Sequence, residues 1–187
     1  MTDITPLVPR HPVPPLAVPL VAGGWFDIAK EKPDRFTFIV FYRGLHCPIC
    51  RMQLTDLEAK LSDFAKRGVS VVALSSDSAE RAERTKREWK LPNLRLGYGL
   101  DPRVARSWGP YISTGRGMTS AGVEETPLFS EPGLFLVRPD RTLYFASVQT
   151  MPFARPHFAD ILAALDYVIA KDYPARGEVA QLPAAAA

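Results

Sequence analysis

Residues 41–50 read Phe41-Tyr42-Arg43-Gly44-Leu45-His46-Cys47-Pro48-Ile49-Cys50. The stretch joins a run suited to a buried strand to a run suited to a helix. Upstream, Arg35-Phe36-Thr37-Phe38-Ile39-Val40-Phe41-Tyr42 is apolar, β-branched and aromatic, the mark of a strand buried on both faces. Downstream, Cys50, Leu54, Leu57, Leu61 and Phe64 recur at spacings of 4, 3, 4 and 3. That is one face of a helix, and Gly68 ends it. A Cys-x-x-Cys therefore sits where a strand hands over to an amphipathic helix.

The position favours a reactive Cys47. At a helix N-terminus, unpaired backbone N–H groups and the helix dipole stabilise a thiolate. Pro48 suits the first turn, where its missing N–H is not needed. Arg43 and Arg51 add positive charge to the same region. Cys50 lies three residues on, shares a helix face with Cys47 and continues the apolar stripe. The expected division of labour is an exposed nucleophile, Cys47, and a buried resolving thiol, Cys50. The spacing allows a disulfide between them with little backbone change. For His46 two readings stand side by side: an imidazolium that lowers the Cys47 pKa, or a loop histidine pointing to water.

Other uses of the two cysteines are weaker. A closed zinc site wants four ligands, and only His11, His46 and His157 are available to join them. Inert core cysteines are another reading, since free cysteine is often buried. A Cys–His hydrolase would need His157, which opens an ordinary amphipathic helix. No Gly-rich strand-to-helix fingerprint marks a flavin or nicotinamide site. No cofactor and no metal are expected.

Beyond the helix, strands and helices alternate. Val69 to Leu74 reads as a second buried strand, and Asp77 with Glu80 as a capping pair for a charged, solvent-facing helix ending near Trp89. Leu94 to Leu96 reads as a short strand and Pro102 to Trp108 as a short helix. Residues 109–130 read as a long loop. Leu134–Val137 and Thr142–Val148 flank the turn Arg138-Pro139-Asp140-Arg141 and read as a hairpin. Phe158, Ile161, Leu162, Leu165 and Ile169 line a last helix. This order predicts an α/β fold: a central mixed sheet, mainly parallel, flanked by helices on both faces, with the hairpin as an antiparallel edge.

Composition narrows the setting. The chain has 187 residues, enough for one core. At 47% hydrophobic it is no disordered chain, and no 18-residue apolar run is present to span a membrane. A net charge of +3 with interspersed acids and bases is not a nucleic-acid footprint. Of 18 prolines, Pro6, Pro9, Pro12, Pro14, Pro15 and Pro19 crowd the first twenty residues. Residues 1–34 are therefore expected to form a Pro-rich arm, at best partly packed, and 173–187 a C-terminal tail that frays over the small-residue run 181–187. The absence of a signal peptide points to the cytoplasm, where a cysteine pair is more often catalytic than structural. The arm and the 109–130 loop are the segments available for an interface, as in a homodimer.

With strand, CxxC and helix in place, residues 35–172 resemble the thioredoxin-like superfamily, and most of all its peroxiredoxin-like AhpC/TSA branch. Residues 41–50 resemble the active-site segment of the members that carry CxxC. Val71-Val72-Ala73-Leu74-Ser75-Ser76-Asp77 resembles the following strand and its polar exit, and Leu100-Asp101-Pro102-Arg103-Val104-Ala105-Arg106-Ser107-Trp108-Gly109 the family's Asp-Pro segment. Pro132-Gly133-Leu134-Phe135-Leu136-Val137-Arg138-Pro139-Asp140 resembles the late strand and its turn. The chain departs from the peroxiredoxin pattern twice. Gly44 stands three residues before Cys47 where a Thr or Ser is usual, and Pro132 stands where an arginine opens the late strand. Thioredoxins carry a cis-proline before this strand, for which Pro132, or Pro127 after Thr126, is the candidate. A cis Glu131–Pro132 bond would face the Glu131 backbone to the sulfurs and dock a substrate strand.

The resemblance implies a thiol-based oxidoreductase acting on peroxides or disulfides. Cys47 would attack, Cys50 would close a disulfide, and a thiol reductant such as a thioredoxin or glutathione system would reopen it. The other readings are a general thiol–disulfide oxidoreductase and a redox-inert interaction module on the same fold.

Overall fold

The structure, a computed structural model, describes residues 5–182. In chain order its elements are β1 (Ala17–Pro19), β2 (Trp25–Asp27), β3 (Phe36–Phe41), α1 (Pro48–Lys66), β4 (Val69–Leu74), α2 (Ala79–Glu88) and β5 (Arg95–Gly97). Then follow α3 (Pro102–Ser107), β6 (Ile112–Thr114), β7 (Leu128–Ser130), β8 (Gly133–Val137), β9 (Leu143–Val148) and α4 (Phe158–Lys171). The central sheet has the order β5-β4-β3-β8-β9. β3, β4 and β5 are parallel, while β8 runs antiparallel to both β3 and β9. This is the mixed α/β sheet expected from the alternation of strands and helices.

Strand alternation sorts the core into two layers. Phe36, Phe38 and Val40 of β3, Val69, Val71 and Ala73 of β4, and Leu134 and Leu136 of β8 face one way. They pack against Cys50, Leu54, Leu57 and Phe64 of α1, Ala82 of α2, and Phe158, Ile161, Leu162 and Leu165 of α4. Ile39, Phe41, Val72, Leu74, Phe135 and Val137 face the other way, onto Ala105 and Trp108 at α3 and onto Leu16, Val18, Phe26 and Ile28 of the N-terminal segment. Phe41, Trp108 and Phe135 meet pairwise with ring centroids 5.3–5.9 Å apart. Each such fully buried large side chain contributes roughly 1.5–3 kcal/mol.

Two segments are more ordered than their composition suggests. The N-terminal residues, expected as a loosely packed arm, form the antiparallel pair β1–β2, and Val18 and Phe26 from it close the second core layer. Upstream of it, Arg10 and Val13 donate backbone hydrogen bonds to Leu143 and Arg141, so the chain runs along the start of β9. Three-residue strands lose few ladder bonds to proline, and Pro19 sits at a strand end. Residues 109–130, expected as a loop, contain the antiparallel pair β6–β7. Of the C-terminal tail, Ala175 is buried and its carbonyl accepts from Arg10 Nε at 2.9 Å, while 183–187 lie outside the described residues. No helix among the described residues is long and apolar enough to cross a membrane.

Registration places the chemistry. Phe41 pairs with Leu74 on one side and with Gly133 on the other. The chain leaving β3, the chain leaving β4 and the chain entering β8 therefore emerge at one end of the sheet. Residues 42–47, 75–77 and 131–132 meet there, at the carboxyl ends of the parallel strands, where α/β folds place their sites.

Candidate active site

The turn that carries Cys47 is held from below by Asp77. Gly44 has φ +135°, a conformation that side chains rarely adopt, and a Cβ there would lie 2.9 Å from both Asp77 carboxylate oxygens. This close approach lets Asp77 Oδ2 accept the Leu45 backbone N–H at 2.7 Å, while Oδ1 accepts from Arg81 Nε at 2.7 Å. Asp77 is buried. It is therefore not the cap of α2 that the sequence suggested: Ser78 is the N-cap, its Oγ accepting the Arg81 N–H.

Cys47 is the N-cap residue of α1, with Pro48 in the first turn. Its Sγ accepts the Cys50 backbone N–H at 3.2 Å, the bond that a serine or aspartate makes at most helix starts. Contrary to the expected exposed nucleophile, Cys47 is only 1% exposed, and Cys50 is fully buried. Both are free thiols.

Sequence reasoning missed Arg155, whose guanidinium reaches both sulfurs. Its Nη2 donates to Cys47 Sγ at 3.6 Å and to Cys50 Sγ at 3.3 Å. The guanidinium is held in place by Nε donating to the Pro152 carbonyl at 2.7 Å and Nη1 to Gln53 Oε1 at 2.5 Å. Arg155 lies in the connection between β9 and α4, which has no periodicity to read, and it is over a hundred residues from either cysteine. Arg51, the other basic residue expected here, is exposed.

The electrostatics separate the two thiols. The Cys47 pKa is lowered to about 6. The Cys50 thiol, donating to it, is the largest cause; burial opposes, and the Cys50 N–H, Arg155 and Arg43 add to the lowering. The Cys50 pKa is pushed well up, first by burial and then by the negative sulfur beside it. His46 is fully buried and its pKa is lowered to about 4, by burial first and then by the Arg43 charge. It is neither of the two things expected, imidazolium or solvated loop residue. Its ring packs against Phe129 with centroids 4.7 Å apart.

Arg43 is held in a carboxylate cluster. Its Nη2 lies 3.2 Å from Glu125 Oε1 and its Nε 3.4 Å from Glu131 Oε2, with the guanidinium carbon 4.8 Å from the Phe129 ring centroid. Glu131 Oε1 also accepts from Ser113 Oγ at 2.6 Å. The cluster ties β6–β7 and the chain following it to the active-site turn. The cis-proline expectation gives way here: no peptide bond among the described residues is cis, at Pro132, Pro127 or elsewhere. The Glu131 N–H is already donated to the Tyr111 carbonyl at 2.7 Å, and the Pro132 carbonyl accepts from Gln149. The Glu131 N–H is therefore not free to dock a substrate strand. Trp25 is exposed, Phe26 is core, and Arg116 meets Glu125 through its backbone N–H. No cluster of three or more His, Cys, Asp or Glu suited to a metal ion occurs among the described residues.

The fold has many solved counterparts. The peroxidoxin BcpB from Mycobacterium tuberculosis superposes with a TM-score of 0.67 at 18% identity, covering 87% of this chain and 98% of that one. A peroxiredoxin-like protein from Aquifex aeolicus gives 0.69 at 13% identity, covering 88% and 90%. The reduced 2-Cys peroxiredoxin of Plasmodium vivax gives 0.69 at 14% identity, covering 89% and 84%. At these identities the likeness is one of fold. No curated protein matches the chain significantly. The model of the AhpC/TSA family matches residues 9–146, taking in the N-terminal hairpin, the dithiol and the late strands. The chain belongs to the AhpC/TSA family, as a peroxiredoxin-like, thiol-dependent oxidoreductase of the thioredoxin superfamily.

Proposed function

We infer that the protein is a thiol peroxidase that reduces small peroxides through a Cys47–Cys50 dithiol. The observation that carries this reading is the environment of Cys47 Sγ: a helix-terminal N–H and a guanidinium donate to one low-pKa sulfur, with a second thiol beside it. A cysteine only 1% exposed is reached by a small oxidant far more readily than by a folded disulfide substrate, which favours peroxide over protein disulfides. Arg155 supplies the cation that the peroxiredoxin pattern draws from the position of Pro132.

The reaction runs in two steps. The Cys47 thiolate attacks the distal peroxide oxygen, the O–O bond breaks, and the departing alkoxide or hydroxide takes a proton to leave as alcohol or water. Cys47 is then a sulfenic acid. Cys50 attacks the Cys47 sulfur, the S–O bond breaks, and the hydroxide that leaves takes the proton given up by Cys50. The dithiol has lost two electrons and the peroxide has gained them. An external thiol, from a thioredoxin or from glutathione, returns the pair to the reduced form. His46, neutral and packed on Phe129, shapes the turn and does not carry a proton in this scheme.

The test is stopped-flow oxidation of the reduced protein by hydrogen peroxide, followed by tryptophan fluorescence. A rate well above that of a free thiol is expected, and a rate no better than a free thiol would sink the reading. Its pH profile follows thiolate content. With Cys47 near 6, the rate should be flat from pH 7 upward and fall about tenfold per unit below the Cys47 pKa. A profile still rising through pH 8 would contradict the low pKa. In Cys50→Ser, the first oxidation should proceed but no intramolecular disulfide should form, leaving a sulfenic acid that a dione probe labels. Mass spectrometry distinguishes the two products.

A further inference from the structure

Arg155 is closer to Cys50 than to Cys47, at 3.3 against 3.6 Å, and one nitrogen, Nη2, serves both sulfurs. Arg155 is therefore placed to act on Cys50 as well as on Cys47. Resting Cys50 is protonated and donates to Cys47, so the charge sits on Cys47. That arrangement is a poor start for the second step, because a buried neutral thiol is a weak nucleophile. Oxidation changes the balance. A sulfenic acid carries no full charge, so the anion that opposed ionisation of Cys50 is gone while the guanidinium remains. The ionisable groups that act on Cys50 include Cys47 at the cap of its own helix, Tyr42 beyond the end of β3, and Arg155 on the β9–α4 connection. Of these only Arg155 favours a thiolate once Cys47 is neutral.

We propose that Arg155 is the catalytic residue of the resolving step: after Cys47 is oxidised, its guanidinium takes over the charge that appears on Cys50 and so drives closure of the disulfide. Gln53 and the Pro152 carbonyl are the positioning groups. They occupy the Nη1 and Nε donors, leaving Nη2 aimed at the sulfurs. The proposal rests on the two-step reading above and deepens it. In the step itself the Cys50 proton departs with the hydroxide released from Cys47, as water, and the S–S bond replaces the S–O bond. The cation is unchanged throughout.

The experiment isolates Cys50. In Cys47→Ser, the serine hydroxyl keeps the helix cap and removes the competing charge, so the absorbance against pH, less that of a variant that also carries Cys50→Ser, reports the Cys50 thiolate alone. Adding Arg155→Gln should move the Cys50 midpoint up by at least about one pH unit, and Arg155→Lys should recover most of that shift. Gln53→Leu, which leaves the charge but frees its holder, should give a smaller shift in the same direction. In the protein with both cysteines, Arg155→Gln should slow disulfide closure about tenfold at neutral pH and let the sulfenic acid accumulate for a dione probe. An unmoved Cys50 midpoint, or disulfide closure unchanged while only the first oxidation slows, would overturn the assignment. The titration does not depend on peroxide. If the parent protein reacts with peroxide no faster than a free thiol, the peroxidase reading falls while the titration still decides the role of Arg155.

Discussion

Replacing Cys47 by serine is expected to reduce peroxide consumption to the background rate, a loss on the order of 10³-fold or more. The loss should come without unfolding. Cys47 makes two separable contributions: its Sγ accepts the Cys50 N–H as the cap of α1, and the same atom is the low-pKa nucleophile. Serine is among the best N-cap residues and keeps the first contribution, so stability should stay within about 1 kcal/mol. It abolishes the second, because a serine hydroxyl in this position is no thiolate. A thermal melt beside a peroxide-consumption assay checks both halves. Retained activity would move the chemistry to Cys50, and a collapsed melt would mean that the sulfur packs the core in a way that its cap geometry does not convey.

Some of this site was legible in the sequence, and the division has a physical basis. The strand, the CxxC and the helix after it are local. Strand alternation, a 3.6-residue stripe and a proline at the helix start all act within about twenty residues. They fixed the position of Cys47 and the burial of Cys50. Arg155, Asp77 and the Glu125–Glu131 pair reach the site through the sheet. They depend on β8 and β9 adding beside β3, and on β4 ending level with it. A lone arginine between Pro152 and Pro156 carries no period that would give it away. Cys47 is buried rather than exposed for a related reason: a helix N-terminus open in isolation meets Arg155 here, from the distant β9–α4 connection. His46 shows the limit of adjacency. Its neighbour Arg43 repels a second positive charge, and burial removes the water that would solvate one, so the imidazole is neither an imidazolium tuning Cys47 nor a solvated loop side chain. Proline content misled at the N-terminus, because two three-residue strands need few donors and can supply large apolar side chains between prolines.

Asp77→Ala should be the most damaging change outside the cysteines, costing about 3 kcal/mol and lowering the melting temperature by roughly 10 °C. The buried carboxylate has two partners, and both lose a bond when it goes. The Leu45 N–H, donated to it at 2.7 Å, is left unsatisfied in the interior, and Arg81, with its side chain 21% exposed, loses the charge that holds it. Activity should fall as well, because Leu45 lies two residues before Cys47 and Gly44 is held at φ +135° only while the turn is pinned. A turn that relaxes carries Cys47 away from the Cys50 thiol and N–H and from Arg155, the groups that keep its sulfur ionised. The damage should therefore include an upward shift in the pH at which peroxide reactivity appears, which simple loss of stability would not produce. Asp77→Asn separates the contributions: an amide oxygen still accepts the Leu45 N–H, while the charge opposite Arg81 is gone. It should recover most of the low-pH reactivity and only part of the stability. Equal reactivity profiles for the alanine variant and the parent, measured below the melting transition, would show that the turn holds Cys47 without Asp77.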